Sequence, residues 1–265
     1  MAGIKVLVHG ALGKMGQAVV GGLAQQPGIE VVAAVDVAAA TDRQTLSTMG
    51  PDIPLARTVE PLLESVAPDV LVDFSHADAT LPAVRAASRS GVNFVVGTTG
   101  ISEDAVAEMT ALAAEHGVGG VVAPNFALGA VLLLHLAKRA SPFFEYAEII
   151  ETHHETKIDA PSGTAATTAR LMVEARGGPF KRNVAEKETM AGTRGGQHGG
   201  VTVHSLRLPG TMAHHEVVFG IAGQTLTIRH DTINRECYLP GIIMAVRHVM
   251  DHQGLVYGLD RLMGL

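Results

Sequence analysis

The sequence predicts an α/β protein with an N-terminal, doubly wound parallel sheet and a second α+β domain built on a mostly antiparallel sheet. Three observations support this prediction. Short apolar strands alternate with helices in the first half, a glycine-rich turn joins the first strand to the first helix, and strands with alternating polarity dominate the second half. A chain of 265 residues is long enough for two such domains.

The first half contains predicted strands that are short, apolar and rich in valine, each followed by a turn or helix. Apolar residues at helical spacing predict the intervening helices. The predicted strands are Ile4–His9, Ile29–Val35, Val70–Phe74, Val92–Val96 and Val121–Ala123, and the predicted helices run from Gly16 to about Ala24, from 79 to 89 and from 103 to 115.

After about Phe126 the pattern changes to a long helix, a strand, a further helix and a loop rich in glycine and charge. The predicted strands of this half are 148–151, 201–208, 215–219 and 225–230, the loop is 177–200, and the last helix is 239–252. We therefore expect a first domain at residues 1–126, a second at 127–237, and a C-terminal segment, 238–265, that packs back on the first.

Composition excludes several classes of protein. A net charge of −6 argues against a nucleic-acid or membrane-surface binder, since both need a positive field. The most apolar stretch, around residues 127–136, is too short to span a bilayer. Cys237 is the single cysteine, so an internal disulfide is impossible. Together with a start that lacks signal-peptide features, this predicts a cytoplasmic protein.

The first turn, Gly10-x-x-Gly13-x-x-Gly16, is a spaced variant of the Rossmann dinucleotide fingerprint. Small residues let the backbone approach a pyrophosphate, and the helix start supplies N–H donors. Asp36 ends the second strand, where a carboxylate can bind ribose hydroxyls; the alternative is that it caps a helix. The predicted cofactor-binding residues of this turn are Gly10, Ala11, Leu12, Gly13, Lys14 and Met15.

Two further turns follow predicted parallel strands, at the edge of the sheet where such folds bind ligands. One is Gly97-Thr98-Thr99-Gly100 and the other is Ala123-Pro124-Asn125-Phe126. Each taken alone is also compatible with an ordinary turn.

The segment from His153 to Thr164 reads His-His-Glu-Thr-Lys-Ile-Asp-Ala-Pro-Ser-Gly-Thr. It combines two histidines that titrate near neutral pH, the charge of Lys157, and a helix start whose free N–H groups attract carboxylate or phosphate. A polar surface turn is the simpler alternative. The convergence of these groups favours a binding and catalytic site.

This segment resembles the signature of the 4-hydroxy-tetrahydrodipicolinate reductase (dihydrodipicolinate reductase) family, and the Gly-Thr-Thr-Gly and Ala-x-Asn-Phe turns match the same family in order. The resemblance implies hydride transfer from NADH or NADPH to a cyclic unsaturated imine with two carboxylates, in diaminopimelate and lysine biosynthesis. It also implies that the two turns contact the nicotinamide, that Thr99 lies beside the substrate, and that the protein is a homotetramer.

By match to the signature, His153 delivers the proton that the reduced ring needs. Lys157 pairs with a substrate carboxylate, either as a charge alone or as a proton donor. His154, Gly163 and Thr164 complete the carboxylate site. Glu151 and Glu155 either orient the histidines or are solvated bystanders, and the second interpretation is favoured.

The chain departs from the family pattern at three places. Ala127 stands where many relatives have serine, Ala130-Val131 replaces Val-Asn, and Val37 follows Asp36 where some relatives have arginine. The last departure predicts a preference for NADH, with NADPH also possible, because Asp36 repels a phosphate and Val37 offers no cation.

No metal site is predicted. The pair His214-His215 and the other scattered histidines are interpreted as surface residues, since we expect neither a His-x-x-x-His nor a His-Glu-x-x-His metal motif and cysteine ligands are absent. Two alternatives to the reductase remain: a dinucleotide-binding regulator without catalytic activity, and a related dehydrogenase that acts on another amino-acid intermediate.

Overall fold

The computed structural model describes residues 3–40, 44–47, 52–182, 184 and 187–265. The chain divides into two compact units, Met1–Leu128 with Arg235–Leu265, and Gly129–Asn234. The first unit therefore contains both ends of the chain, and the second is one continuous insertion.

The first half of the chain forms seven strands and four helices among the described residues. They are β1 (Ile4–His9), α1 (Lys14–Leu23), β2 (Ile29–Val35), β3 (Gln44–Leu46), β4 (Ile53–Ala56), α2 (Glu60–Val66), β5 (Val70–Asp73), α3 (Ala77–Arg89), β6 (Asn93–Val96), α4 (Glu103–His116) and β7 (Gly119–Val122).

The second half begins with the elements of the second unit and ends with the return to the first. They are α5 (Leu128–Ala140), β8 (Tyr146–His153), α6 (Gly163–Arg176), β9 (Gly196–His198), β10 (Val201–Arg207), β11 (Ala213–Ile221), β12 (Gln224–Thr232), α7 (Leu239–Asp251), β13 (Gly254–Tyr257) and α8 (Leu259–Leu262).

The first unit is built on a sheet with strand order β13-β7-β6-β5-β1-β2-β4-β3. Its pairs are parallel except β3 with β4. Its core consists of aliphatic side chains with a few larger groups such as Phe94 and Met109, all buried. The reversal of strand order beside β1 is where open sheets of this kind bind their ligands.

The second unit is a five-stranded sheet, β12-β11-β8-β10-β9, in which only β8 and β10 run parallel among the described pairs. Helices α5 and α6 pack on one face through residues such as Leu133 and Met172, which contact Ile149, Val217 and Phe219 of the strands. The predicted fold class is confirmed.

Several elements were absent from the sequence prediction, namely β3, β4, α2, β9 (which lies in the predicted loop 177–200), β13 and α8. The first three are short, and β13 is a four-residue strand that pairs with β7, more than 130 residues earlier in the chain. Such brief patterns carry little periodicity, so pairing with distant strands decides their structure.

Candidate active site

The glycine turn after β1 is shaped by its lack of side chains. Gly10 has a φ of 79°, in the left-handed region that favours glycine. A Cβ on Gly16 would lie 2.0 Å from the Gly10 carbonyl oxygen, so helix α1 packs directly against the turn. Gly13 is the N-cap of α1 and provides no side-chain cap, which leaves N–H groups at the helix start for a ligand. These features fit a bound pyrophosphate.

Asp36, directly after β2, is bonded to this turn. One carboxylate oxygen accepts a hydrogen bond from the Leu12 N–H at 2.8 Å, and the other accepts one from the Ala38 N–H at 2.9 Å. Asp36 therefore anchors the glycine turn and does not cap a helix. An ionised carboxylate has about four acceptor positions, so two remain for ribose hydroxyls.

Asp73, the last residue of β5, is the buried centre of a hydrogen-bond network at the carboxyl ends of the parallel strands. It contacts His9 Nδ1 at 2.8 Å and accepts hydrogen bonds from Ser75, Thr80 and Thr98 at 2.6 to 2.8 Å. Burial opposes ionisation of Asp73, but the hydrogen bonds from His9, Ser75 and Thr80 outweigh it and lower the pKa of the carboxyl group. The network joins the ends of β1, β5 and β6, and it holds Thr98 in place.

Aromatic packing joins the residues that follow β5, β6 and β7. A Cβ on Gly97 would lie 2.1 Å from the Phe74 ring, and that ring is 5.8 Å from the ring of Phe126. Thr99 is exposed, and the Asn125 side chain accepts a hydrogen bond from the Ala127 N–H at 2.9 Å. The structure thus places all the predicted cofactor-binding residues at one edge of the parallel sheet.

The signature segment lies in the second unit and begins at the end of β8. His153 is the last residue of that strand, with a side chain 16% exposed. A turn follows in which the Lys157 N–H donates to the His154 carbonyl at 3.2 Å. The Lys157 ammonium lies 2.6 Å from Asp159, and His154 Nδ1 lies 2.8 Å from the Thr156 hydroxyl on the exposed side.

Helix α6 begins immediately after this turn. Ser162 is its N-cap and accepts a hydrogen bond from the Ala165 N–H at 3.2 Å. Gly163 and Thr164 are exposed first-turn residues, and a Cβ on Gly163 would meet no atom within 4 Å. The helix start therefore faces open space, which suits the approach of a carboxylate.

The preferred interpretation of Glu151 as a solvated bystander is wrong. Its side chain is 0% exposed, and one oxygen lies 2.5 Å from His153 Nδ1. Arg207 donates to both carboxylate oxygens, at 3.0 and 2.8 Å, and the Ser162 N–H donates at 3.2 Å. Glu155, in contrast, is exposed.

The pKa values of this cluster follow from these contacts. Burial works against ionisation of Glu151, but hydrogen bonds from Arg207, Ser205 and His153 prevail and lower its pKa to about 2. Burial lowers the pKa of His153, and the Glu151 charge offsets only part of that effect. Glu151 is thus an anion at neutral pH, and His153 is a stronger acid than an ordinary histidine.

The surface interpretation is also wrong for His215, whose side chain is buried. It lies opposite Glu151 in the pairing of β11 with β8, on the face that the helices cover. Burial lowers the pKa of His215 to about 4, so it is neutral under ordinary conditions. Its neighbour His214 points to the other face and pairs with Asp231 at 2.7 Å.

Within the described part of the chain, no three histidine, cysteine or acidic side chains converge as metal ligands. A His-x-x-x-His spacing does occur, at His248 and His252, but the two rings stack in parallel with centroids 4.1 Å apart. None of the described helices is both long and apolar enough to cross a membrane.

The fold, the glycine turn after β1 and the segment from His153 to Thr164 are typical of one class of protein. This class is the NAD(P)-dependent oxidoreductases with a dinucleotide-binding domain. Family models described as the N-terminus and the C-terminus of dihydrodipicolinate reductase match residues 4–126 and 129–263. The chain belongs to the dihydrodipicolinate reductase family.

Relatives in sequence agree along the full length. The chain is 48% identical to 4-hydroxy-tetrahydrodipicolinate reductase of Dehalococcoides mccartyi strain BAV1, with 100% of both chains covered. It is 44% identical to the enzyme of the same name from Syntrophomonas wolfei, with 98% of each covered. The predicted activity, an NAD(P)H-dependent reductase of diaminopimelate and lysine biosynthesis, is confirmed at the level of the family.

A solved structure supports the same conclusion. Dihydrodipicolinate reductase from Paenisporosarcina sp. TG-14, with dipicolinate bound, has a TM-score of 0.88 and 36% identity, covering 98% of this chain and 99% of that one. An amine dehydrogenase from Mycobacterium smegmatis has a TM-score of 0.65 at 15% identity, with 97% and 95% covered, which shows a shared fold alone.

Proposed function

We propose that the chain reduces the cyclic unsaturated imine dicarboxylate to tetrahydrodipicolinate, with His153 and Lys157 as its catalytic residues. The observation that carries this proposal is the joining, within one short segment, of a histidine bonded to a buried carboxylate, a lysine, and an exposed helix start. These groups match the needs of an anionic substrate that must also receive a proton.

The residues at the parallel-sheet edge are proposed to hold the nucleotide. Gly10 to Met15 would face the pyrophosphate, Asp36 the adenosine ribose, and the turns at 97–99 and 123–126 the nicotinamide. When bound, the dihydronicotinamide supplies hydride. The first unit is accordingly the dinucleotide-binding domain, and the second is the domain for substrate and for oligomer contacts.

His153 is the proposed proton donor. Its Nδ1 faces Glu151 at 2.5 Å, so Nδ1 carries a hydrogen and Nε2 is the nitrogen that exchanges a proton with the substrate. The lowered pKa of His153 favours release of that proton, while a neighbouring anionic substrate would stabilise the protonated form.

Lys157 and the start of α6 are the proposed carboxylate site. The Lys157 ammonium is held by Asp159 at 2.6 Å, and half of that aspartate side chain is exposed. A substrate carboxylate can therefore replace Asp159 at low cost, because water already screens the exposed aspartate of this ion pair. His154, Gly163 and Thr164 would bind the same or the second carboxylate, and Thr99 is a further proposed substrate contact.

Three finer proposals complete this assignment. NADH is the preferred cofactor, because Asp36 repels the additional phosphate of NADPH. The protein is a homotetramer, assembled through the second unit. It works in the cytoplasm, where its lone Cys237 stays reduced.

The direct test is the oxidation of NADH in the presence of freshly generated substrate. The parent protein should turn over, whereas His153→Gln and Lys157→Ala should each lose turnover strongly, with ~10²–10⁴-fold typical for positioned proton transfer. NADH binding, measured by fluorescence titration, should be nearly unchanged in both variants. Turnover by the parent excludes both the inactive regulator and the related dehydrogenase that acts on another amino-acid intermediate.

Near-parental turnover by either variant would show that the role given to that residue is wrong. Thr110→Ala is the control variant and should keep the turnover of the parent, since Thr110 is an exposed residue of α4 in the first unit. A parent protein that binds NADH and leaves the substrate unchanged would contradict the proposed reaction itself.

A further inference from the structure

Glu151 has no assigned part in the reaction, yet it is a buried charge with hydrogen bonds to both of its carboxylate oxygens. A buried carboxylate is costly unless hydrogen bonds satisfy it. Both oxygens of Glu151 are used: Oε2 contacts His153 and one nitrogen of Arg207, and Oε1 receives the other nitrogen of Arg207 and the Ser162 N–H. Because hydrogen bonds hold both buried oxygens, the carboxylate of Glu151 has a fixed position and orientation.

The partners of Glu151 belong to two different parts of the candidate site. His153 ends β8, and Ser162 is the N-cap of α6, whose first residues are exposed. A single carboxylate thus sets the distance between the proton donor and the carboxylate-binding helix start.

Arg207 extends this arrangement to the turn between them. Besides the fork on Glu151, it donates to the Asp159 carbonyl at 2.7 Å. Arg207 lies directly opposite His153 in the parallel pairing of β10 with β8, and its side chain is only 19% exposed. The turn that carries Lys157 is therefore tied to the sheet at its far end.

We propose that Glu151 and Arg207 are a pair of positioning residues: Glu151 fixes His153 as the tautomer with hydrogen on Nδ1, and Arg207 holds the turn that carries Lys157. This inference rests on the proton-donor role proposed for His153. Neither residue needs to touch substrate or cofactor.

The charges around His153 decide what the loss of Glu151 would do. Glu151 favours the protonated ring, whereas Lys157 and Arg207 disfavour it. His215, across from Glu151 on β11, is neutral at working pH and adds no charge. Removal of the negative charge of Glu151 must therefore lower the pKa of His153 further.

Glu151→Gln is the first test. Arg207 needs an acceptor, so the glutamine oxygen should face Arg207 and its NH₂ should face His153, which reverses the tautomer. A carboxylate that orients a catalytic histidine is worth up to ~10⁴-fold in kcat in serine proteases, and we expect a loss of at least about tenfold here. The limb of kcat/KM that falls with rising pH should move to lower pH.

The tautomer is read without turnover, by proton NMR of the protein free of ligand. A hydrogen on Nδ1 bonded to Glu151 should give a resonance downfield of the amide region, identified by its absence in His153→Gln. That resonance should also vanish in Glu151→Gln. Glu174→Gln is the matched control, because Glu174 forms an arginine pair on the exposed side of α6 and should change neither reading.

Arg207→Lys is the second test, and it keeps the positive charge while removing the fork and the contact with Asp159. It should raise the KM for the dicarboxylate by roughly tenfold and leave the pH limb near its parental position. Circular dichroism melts confirm that each variant is folded, and Arg207→Lys remains informative should Glu151→Gln unfold.

Two outcomes would overturn the inference: a retained resonance and an unmoved pH limb in Glu151→Gln, or an unchanged KM in Arg207→Lys. These outcomes are separate from a failure of the proposed function. Full activity of His153→Gln would show that His153 is not catalytic. The resonance, compared between the parent and Glu151→Gln, would still report whether Glu151 sets the tautomer of His153.

Discussion

At the scale of single residues, Glu151 and Arg207 show where sequence reasoning stops. The predicted strand ended at Glu151, so the sequence did not place Glu151 and His153 on one face of a strand, whereas the observed strand continues to His153. The sequence also could not show the arginine that offsets the burial of Glu151, because the two residues are 56 positions apart and meet only through the pairing of β8 with β10. Without that partner, an exposed glutamate is the reasonable expectation.

The signature residues themselves were predictable because they are contiguous. His153, Lys157 and Gly163 lie on one strand end, one turn and one helix start, so local geometry alone brings them near each other. Asp159, the ion-pair partner of Lys157, lies in the same run but was not assigned a role. Its short spacing from Lys157 was the signal available.

The cofactor preference is the prediction that belongs to this scale. The parent should show a higher kcat/KM for NADH than for NADPH, because Asp36 repels the extra phosphate. Lys14→Ala should weaken NADPH more than NADH, since Lys14 is an exposed cation at the start of α1. Asp36→Ala should narrow the gap between the two cofactors.

Strand pairing brings the backbone of a further basic residue, Arg57, close to Asp36, although the two residues are far apart in the sequence. Arg57 directly follows Ala56, whose carbonyl accepts a hydrogen bond from the Asp36 N–H. Arg57→Ala should therefore also reduce the use of NADPH, which makes the preference of the parent modest. Steady-state constants for both cofactors decide the question, and a parent that clearly favours NADPH would contradict the role of Asp36.

At the scale of elements, the strands and helices with strong periodicity were predicted and the weak ones were not. Strand β1, helix α1 and strand β2 follow from apolar runs and glycine punctuation. Strand β8 is longer than expected, Tyr146–His153 against 148–151, because pairing on both sides extends it into the signature.

The glycines of α1 provide a matched prediction. Gly16→Ala should destabilise the fold by roughly 1–3 kcal/mol, because its methyl group would overlap the Gly10 carbonyl. It should also weaken NADH binding, since the turn must move. Gly21→Ala lies on the same helix with no atom within 4 Å of the added Cβ, and should stabilise by roughly 0.5–1 kcal/mol.

Thermal melts and NADH titration measure both effects. If Gly16→Ala melts at the parental temperature and binds NADH normally, the close packing of α1 on the turn has no energetic importance. The contrast with Gly21 separates packing from helix propensity, which is the same in both substitutions.

At the scale of the whole molecule, the second unit leaves one sheet face without a helix of its own among the described elements. That face carries charged residues together with Ile150, Leu206 and Val218, and the nine-residue edge strand β12 presents unpaired backbone groups. Such a surface favours association with a further copy of the chain.

The corresponding prediction is a mass of four times 27.6 kDa by light scattering at micromolar concentration. Val218→Lys should reduce that mass, because it places a charge on the open face. Leu136→Lys, at an exposed position of α5, should leave the mass unchanged. A monomeric parent would contradict assembly through this unit.

The return of the chain to its first unit has a consequence for synthesis on the ribosome. Helix α7 packs against β6 and β7, and β13 pairs with β7. Strand β6 therefore lacks its covering helix, and β7 lacks both that helix and a partner strand, until α7 and β13 have been made. The inserted unit is complete once residue 234 has been made. Although most of the first unit is translated before the inserted unit, the inserted unit is the first able to reach its final structure, and the first unit finishes after it.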